Sequence, residues 1–211
     1  MILVFTREEG KLSAGTHISE KSRGGAALAI RPFAYGHYTM AEKSTGTRSI
    51  SAAETLDAHF ALGEDADRFA EASFALEFTD KILPEDAGAP AIFDLLKIFL
   101  DMLSSRKKDH RLLTISYLIK VMQELGVFPD TDSLERREAS DTGGILLTEL
   151  NGDILKTIVF IAGQPLERMD ALTLESEKEE AVFGVIKAFA HEYLELGTIK
   201  SERMLSGESD R

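Results

Sequence analysis

The sequence predicts an α+β protein in which a small β-rich unit at the N-terminus precedes a larger helical one. Three observations predict it. Residues 1–51 fall into short segments punctuated by glycine turns, the apolar period lengthens to that of a helix from Ala52 onward, and the charge changes sign between the two parts. With 44% hydrophobic and 28% charged residues, the 211-residue chain has the apolar material for a core and the size of one domain or two small ones.

The first strand is expected over Ile2–Thr6, followed by a turn at Glu9-Gly10 and a second strand over Lys11–Ile18. A basic loop, Ser19–Gly25, leads to strands over Ala26–Tyr35 and Tyr38–Ala41, and a turn around Thr45-Gly46 leads to a last one over Thr47–Ser51. Short strands divided by Gly turns build a small barrel or sandwich.

From Ala52 the spacing is helical: Leu56 and Phe60 stand one turn apart, then Phe69, Ser73 and Leu76, with Phe74, Phe78 and Ile82 beside them, until Pro84 and Gly88 end the helix. A second helix starts near Ala91 and carries Ile92, Leu95, Leu96, Phe99 and Leu103 on one face. Arg106-Lys107-Lys108-Asp109 separates it from a third, with Leu112, Ile115, Ile119, Met122 and Leu125, which Gly126 and Pro129 close. These stripes are the core of a bundle. Residues 130–150 are polar and then contain Gly143-Gly144 and Ile145-Leu146-Leu147, a loop leading into a hairpin or short strand. A helix follows at Gly152–Ala162, ended by Gly163 and Pro165. The last runs over Ser176–Leu196, with Ser176 before Glu177, Glu179 and Glu180 at its start and Gly197 at its end. The tail, Ser206–Arg211, is expected to be disordered.

There is no cysteine, which removes disulfides and thiolate zinc sites and argues against a structural metal. The densest apolar run, Ala91 to Leu103, is broken by Asp94, Lys97 and Asp101, whereas a membrane span needs roughly 20 apolar residues. No basic leader precedes the apolar start, so the expected location is cytoplasmic. No catalytic constellation is found either: the five histidines, His17, His37, His59, His110 and His191, show no ligand spacing, and no GxSxG, Walker loop or GxGxxG occurs. Asp65/Asp67 and Glu179/Glu180 read as solvated helix faces rather than acid–base pairs. An enzyme is the least supported class, and no cofactor is expected.

The net charge of −12 speaks against a chain coated by nucleic acid, yet the average hides an asymmetry. Residues 1–50 carry seven basic side chains (Arg7, Lys11, Lys21, Arg23, Arg31, Lys43, Arg48) against four acidic ones, a local +3, and the other 161 carry −15. A basic module joined to an acidic one is what a division of labour around phosphate looks like, and ordinary surface variation is the alternative.

Three stretches, in order, carry a resemblance. The first is Leu3-Val4-Phe5-Thr6-Arg7-Glu8-Glu9-Gly10-Lys11-Leu12-Ser13-Ala14 with Gly15, Lys21-Ser22-Arg23, Leu28, Pro32 and Phe33. The second is Ala72-Ser73-Phe74-Ala75-Leu76-Glu77 with Pro84-Glu85 and Ile92-Phe93-Asp94-Leu95-Leu96, then Tyr117-Leu118-Ile119-Lys120 and Leu125-Gly126-Val127-Phe128-Pro129. The third is Tyr193-Leu194-Glu195-Leu196 with Lys200-Ser201-Glu202-Arg203-Met204-Leu205. Each is weak alone, but in order and spacing the chain resembles the RecO family of recombination and DNA-repair mediators.

The resemblance implies an N-terminal oligonucleotide-binding barrel (OB-fold) over residues 1–51 and a helical domain over 52–205. It implies binding of single- and double-stranded DNA, annealing of complementary strands, and work with the partner RecR in loading RecA on DNA covered by single-strand-binding protein, in the cytoplasm at the nucleoid. An OB-fold grips the backbone through a positive groove and stacks bases on aromatic rings. The phosphate candidates are therefore Lys11, Lys21, Arg23, Arg31 and Arg48, and the stacking candidates Phe33, Tyr35 and Tyr38, which suit a barrel core equally. In the family, the acidic tail of single-strand-binding protein docks on the helical domain. Lys120 matches the family's basic helix residue, with Tyr117, Arg111, Lys107 and Lys108 around it, and a solvated helix face is the alternative.

The chain also departs from the family pattern. Where many members carry a four-cysteine zinc site, the matching segment, about 130–150, has Leu134, Arg137, Leu147 and Leu150 or their neighbours, a degenerate, metal-free insertion. The chain starts inside what resembles the second strand of the barrel, so the expectation is a misassigned start codon, an incomplete barrel, or a barrel completed by another chain. The loop after Gly15 reads Thr16-His17-Ile18-Ser19-Glu20, less basic than in relatives. A second reading follows from that: an acidic module that binds single-strand-binding protein or RecR and hardly touches DNA.

Overall fold

The computed structural model describes residues 1–18, 25–42, 44, 46–108, 110–136 and 150–205. Strands β1 (Ile2–Thr6) and β2 (Gly10–Thr16) form an antiparallel hairpin in which Ile2 faces Ala14 and Thr6 faces Gly10. The two-residue period of a strand turns Val4, Leu12 and Ala14 to the buried side. Gly10 is required twice: its φ of +75° is left-handed, and a Cβ there would stand 1.9 Å from the Ala87 carbonyl oxygen. This hairpin tip therefore nests against the loop between the first two long helices.

A one-turn helix, α1 (Ala26–Ala29), precedes β3 (Tyr35–Glu42) and β4 (Arg48–Asp57). The four strands lie in the order β1-β2-β4-β3, with β2 and β4 parallel and the outer pairs antiparallel. Among the described residues this is an open mixed sheet. Its own core is a small cluster, Val4, Ala14 and Ile50, padded by Ile2, Ile18, Tyr38, Met40 and Ala53.

Three expectations are corrected here. Ala26–Tyr35 is α1 and a turn rather than a strand, because Ala-Ala-Leu-Ala favours helix and Pro32 removes a ladder donor. Strand β4 runs to Asp57, so the change of period lies near His59 and not at Ala52, and Leu56 is a half-exposed strand residue. Beyond it stand two helices instead of one: α2 (Phe60–Glu64) and α3 (Ala66–Ile82). Asp65 divides them with an extended backbone and caps α3 by accepting from the Arg68 amide at 3.0 Å.

Helices α4 (Pro90–Ser105) and α5 (His110–Glu124) follow, then α6 (Thr131–Arg136), α7 (Gly152–Gly163), a 3-10 turn (Leu166–Ala171), α8 (Ser176–Leu194) and the one-turn α9 (Glu202–Leu205). Helix α5 is the axis of the bundle. All residues from Leu112 to Ile119 are buried, where a single apolar stripe was expected, because α3, α4, α7, α8 and the 3-10 turn surround it. Proline at the start of α4 removes an amide that has no helical partner there. Helix α8 begins at Ser176 with Glu175 as its cap residue, so the serine cap is not formed, while Glu177 and Glu179 still oppose the helix dipole. Glu195 and Gly197, at φ +49° and +59°, turn the chain out of α8.

The large core runs from Leu62 to Ile199 and takes in Phe5 and Phe33 from the sheet side. Of the positions matching the zinc ligands, Leu134 is buried and Leu150 packs on this core. Arg137 and Leu147 lie outside the described residues, as do most of the 130–150 insertion and the 206–211 tail.

Candidate nucleic-acid interface

The sheet docks on α3, α4 and their connecting loop, and the contact consumes much of the sheet's positive charge. Arg7 on the β1–β2 turn grips Asp94 of α4 with two parallel bonds, Nε to Oδ1 and a terminal nitrogen to Oδ2, each 2.9 Å. The hydrogen bond and charge of Arg7 hold the Asp94 carboxyl below its usual range. Lys11 donates to the Asp80 carbonyl at 2.8 Å and lies 3.0 Å from Asp80 Oδ1, with its side chain mostly covered. Arg48 meets Asp86 at 2.5 Å and Glu42 at 3.7 Å. Two of the five phosphate candidates, Lys11 and Arg48, are thus engaged inside the molecule. Arg31 is exposed in the turn after α1, with no side-chain partner among the described residues. Lys21 and Arg23 lie outside the described residues.

The aromatic candidates are placed by the same docking. Phe33 sits edge-on to Phe69 of α3 with centroids 5.5 Å apart, and its φ of +67° aims its carbonyl at His59. Tyr38 donates its hydroxyl to the Ala29 carbonyl at 2.7 Å and packs in the small sheet core, where burial raises its pKa. Tyr35 lies near Phe93, with the Lys97 ammonium 5.1 Å from its ring centre. It is the one of the three that lines an open pocket, of about 520 Å³, together with Leu56, Asp57, His59, Lys97, Asp101, Ser104 and Ser105.

The model for the recombination protein O C-terminal domain matches residues 63–203, two thirds of the chain and nearly all of the helical part. The chain belongs to the RecO family. A DNA repair protein RecO of Thermoanaerobacter sp. (strain X514) is 25% identical over 92% of this chain and 85% of its own length. One of Alkaliphilus metalliredigens (strain QYMF) is 20% identical over 92% and 87%, and one of Bacillus cereus (strain B4264) is 27% identical over 63% and 53%. RecO membership places the chain in DNA repair and recombination, as a mediator and not an enzyme. Among the described residues no helix is long and apolar enough to cross a membrane.

The residues marked for partner binding by the RecO resemblance do not converge on one surface. Tyr117 is fully buried on α5 against Phe99, at 4.9 Å between ring centres, and its hydroxyl lies 2.5 Å from Thr79 Oγ1. Thr79 Oγ1 donates to the Ala75 carbonyl, so the tyrosine hydroxyl is the donor to Thr79; burial drives the Tyr117 pKa far up. Arg111 points the other way, to Glu71 at 2.6 Å, Glu180 at 2.8 Å and the Leu205 carbonyl at 3.0 Å, with Phe183 under its guanidinium. Lys120 donates to the Ala162 carbonyl at 2.6 Å and to Gln123 at 2.9 Å, closing the C-terminal end of α7, and its burial pulls the ammonium pKa down. Lys107 and Lys108 are exposed on the α4–α5 loop. Residue types alone do not single out the pocket group Asp57, His59, Lys97 and Asp101; Asp57 and His59 are two apart, but Asp101 comes from another element.

Proposed function

We propose that the chain is a recombination mediator that binds single- and double-stranded DNA at the sheet end, anneals complementary strands and, with RecR, helps load RecA on DNA covered by single-strand-binding protein, in the cytoplasm at the nucleoid. The observation that carries the reading is the strand order β1-β2-β4-β3 with β2 and β4 parallel. That order is the one four consecutive strands take in a five-stranded OB barrel when its first strand is left out. It supports a nucleic-acid-binding role for this end of the molecule. Exposed Arg31, with Lys21 and Arg23, supplies the phosphate contacts in this reading, and Tyr35 is the stacking candidate that borders an open pocket. Lys11 and Arg48 join them only by leaving Asp80 and Asp86. Lys120 and Lys107 remain candidates for the tail of single-strand-binding protein, Lys120 on the same condition with respect to Ala162.

A specific observation favours the second reading, an acidic module that holds single-strand-binding protein or RecR with little DNA contact: the sheet's cations Arg7, Lys11 and Arg48 are already paired with carboxylates. Anisotropy of a labelled single-stranded oligonucleotide at low and physiological salt separates the two. The DNA-binding reading expects association that weakens steeply with salt and is lost when Lys21, Arg23 and Arg31 are changed to Glu. Absence of binding at both salts leaves the interaction module.

A further inference from the structure

We propose that Asp57, His59 and Asp101 form a binding site for a divalent transition-metal ion of zinc type, set where the sheet meets α4. One ligand atom from each of the three lies within 4.8 Å of the others. His59 is 3% exposed and its ring is fixed from behind, because Nδ1 stands 2.8 Å from the Phe33 carbonyl oxygen. A carbonyl can only accept, so Nδ1 keeps its hydrogen and Nε2 is the nitrogen left to ligate. That pairing of a ligating histidine with a backbone carbonyl is how proteins orient an imidazole on a metal. Nε2 faces Asp101 Oδ1 at 2.9 Å and Asp57 Oδ2 at 3.9 Å. Asp57 Oδ1 accepts from the His59 amide at 2.7 Å, which holds the carboxylate in place and leaves Oδ2 available.

One imidazole and two carboxylates are a donor set suited to Zn²⁺ and its neighbours and not to a thiol-seeking ion. Three protein ligands leave a coordination position, and here it faces the open pocket under Tyr35, Ser104 and Ser105. As the ion enters, it takes the place between Nε2 and the two carboxylates, and the Lys97 ammonium, now 2.6 Å from Asp101 Oδ2, is pushed aside. Lys97 is thus a built-in competitor. Asp65, Asp67 and His110 also lie close together, but His110 Nε2 is directed to the Arg106 carbonyl at 3.2 Å, Asp65 caps α3, and Asp67 is exposed to solvent. An ion at the first site would join β4 to α4, and with them the sheet to the helical bundle.

The test is calorimetric titration of the full chain, freed of metal by chelation, with Zn²⁺, and with Co²⁺ followed by visible absorption as a second probe. The expected result is one ion per chain, a cobalt spectrum with a nitrogen ligand, and a melting temperature raised by zinc. Asp57→Asn keeps the bond to the His59 amide and should weaken binding about tenfold or more, removing the zinc-dependent rise. Lys97→Met should tighten binding several-fold, an outcome that a merely structural role for Lys97 does not produce. Asp67→Asn, in the second cluster, should leave binding unchanged. Absence of saturable binding by the folded wild-type chain overturns the site, as does an affinity that Asp57→Asn leaves unaltered.

Discussion

The ammonium of Lys11 lies 3.0 Å from the Asp80 carboxylate, across the seam between β2 and α3. Arg48 with Asp86 and Arg7 with Asp94 repeat the relationship along the same seam. The opposite charges of the two parts of the chain therefore have an internal use: the basic sheet is matched to the acidic helices beneath it. A sheet whose own buried core is three residues gains its stability from this docking, to which Phe5 on Phe93 and Phe33 on Phe69 add apolar contact. Positive charge in the N-terminal sequence is therefore a sum of docking cations and free ones, and only the free ones are ready for phosphate.

That division predicts different phenotypes for two cations that look alike in sequence. Lys11→Gln should lower stability by about 1 kcal/mol, because it takes a mostly covered ammonium away from the Asp80 carbonyl and from a carboxylate that is itself half-exposed and solvent-screened, with little change in the salt dependence of DNA binding. Arg31→Ala should leave the melting temperature within error and reduce the slope of log affinity against log salt by roughly 0.7 for a single strand. Thermal melts and oligonucleotide titrations at three salt concentrations read both quantities.

Much of the helical part is legible in the sequence because its helices announce themselves by period and by Pro and Gly stops; α4, α7 and α8 lie within a few residues of the expected limits. The sheet is less so. Ala26–Ala29, expected as strand, is helical, and residues 52–57, expected as helix, continue β4, since alanine repeats carry no strand signal and residues 52–57 have no clean alternation to mark them as strand. Residue type marks the DNA candidates and family resemblance the partner candidates, and neither reveals whether a cation already has a carboxylate or carbonyl waiting for it. Lys120 and Arg111 are invisible as braces until α7 and α8 are folded beside α5. The Asp57–His59–Asp101 group depends on a strand end and a helix more than 40 residues apart.

Glu77 links two of the stretches that carry the family resemblance. Its Oε1 accepts from the Lys200 amide at 2.8 Å, and its Oε2 from the Ser201 amide and hydroxyl at 2.8 and 2.6 Å, tying α3 to the start of α9. Partial burial raises the Glu77 pKa, but these bonds outweigh it and hold the carboxyl below its usual range. A depressed carboxylate contributes stability that is present above the unfolded value, about 4.3, and lost as pH falls through the folded one. Glu77→Gln should therefore cost about 1–2 kcal/mol at neutral pH, a figure already reduced for solvent screening. The gap between variant and wild type should close as denaturation curves are taken from pH 5 toward pH 3.

Lys120 offers a way to separate support of the fold from partner contact. It donates to the last turn of α7 from a half-buried position, so Lys120→Met keeps the packing of its stem and removes one charged bond to the Ala162 carbonyl. Gln123 also reaches that carbonyl, at 3.3 Å, and limits the loss to about 1 kcal/mol in urea unfolding. If Lys120 also receives an acidic peptide, binding of such a peptide should fall by more than that stability change accounts for, and Lys120→Arg should restore part of it.

Tyr117 should behave as a core residue in every assay. Its hydroxyl donates to Thr79, whose own hydrogen goes to the Ala75 carbonyl, so the chain of donors ends on a backbone oxygen and no member of it reaches the surface. Tyr117→Phe removes the first donor while Thr79 keeps its bond to Ala75, and the expected cost is about 1 kcal/mol with the aromatic contact to Phe99 intact. Tyr117→Ala opens a cavity at the centre of α5, and its expected cost of roughly 3–5 kcal/mol is a large part of the stability of a domain this size. Equilibrium unfolding should rank wild type, Phe and Ala in that order, while acidic-peptide binding by the Phe variant stays at the wild-type level. A Phe variant that folds as stably as wild type yet loses peptide binding would bring the hydroxyl back to the surface and refute its place in the core.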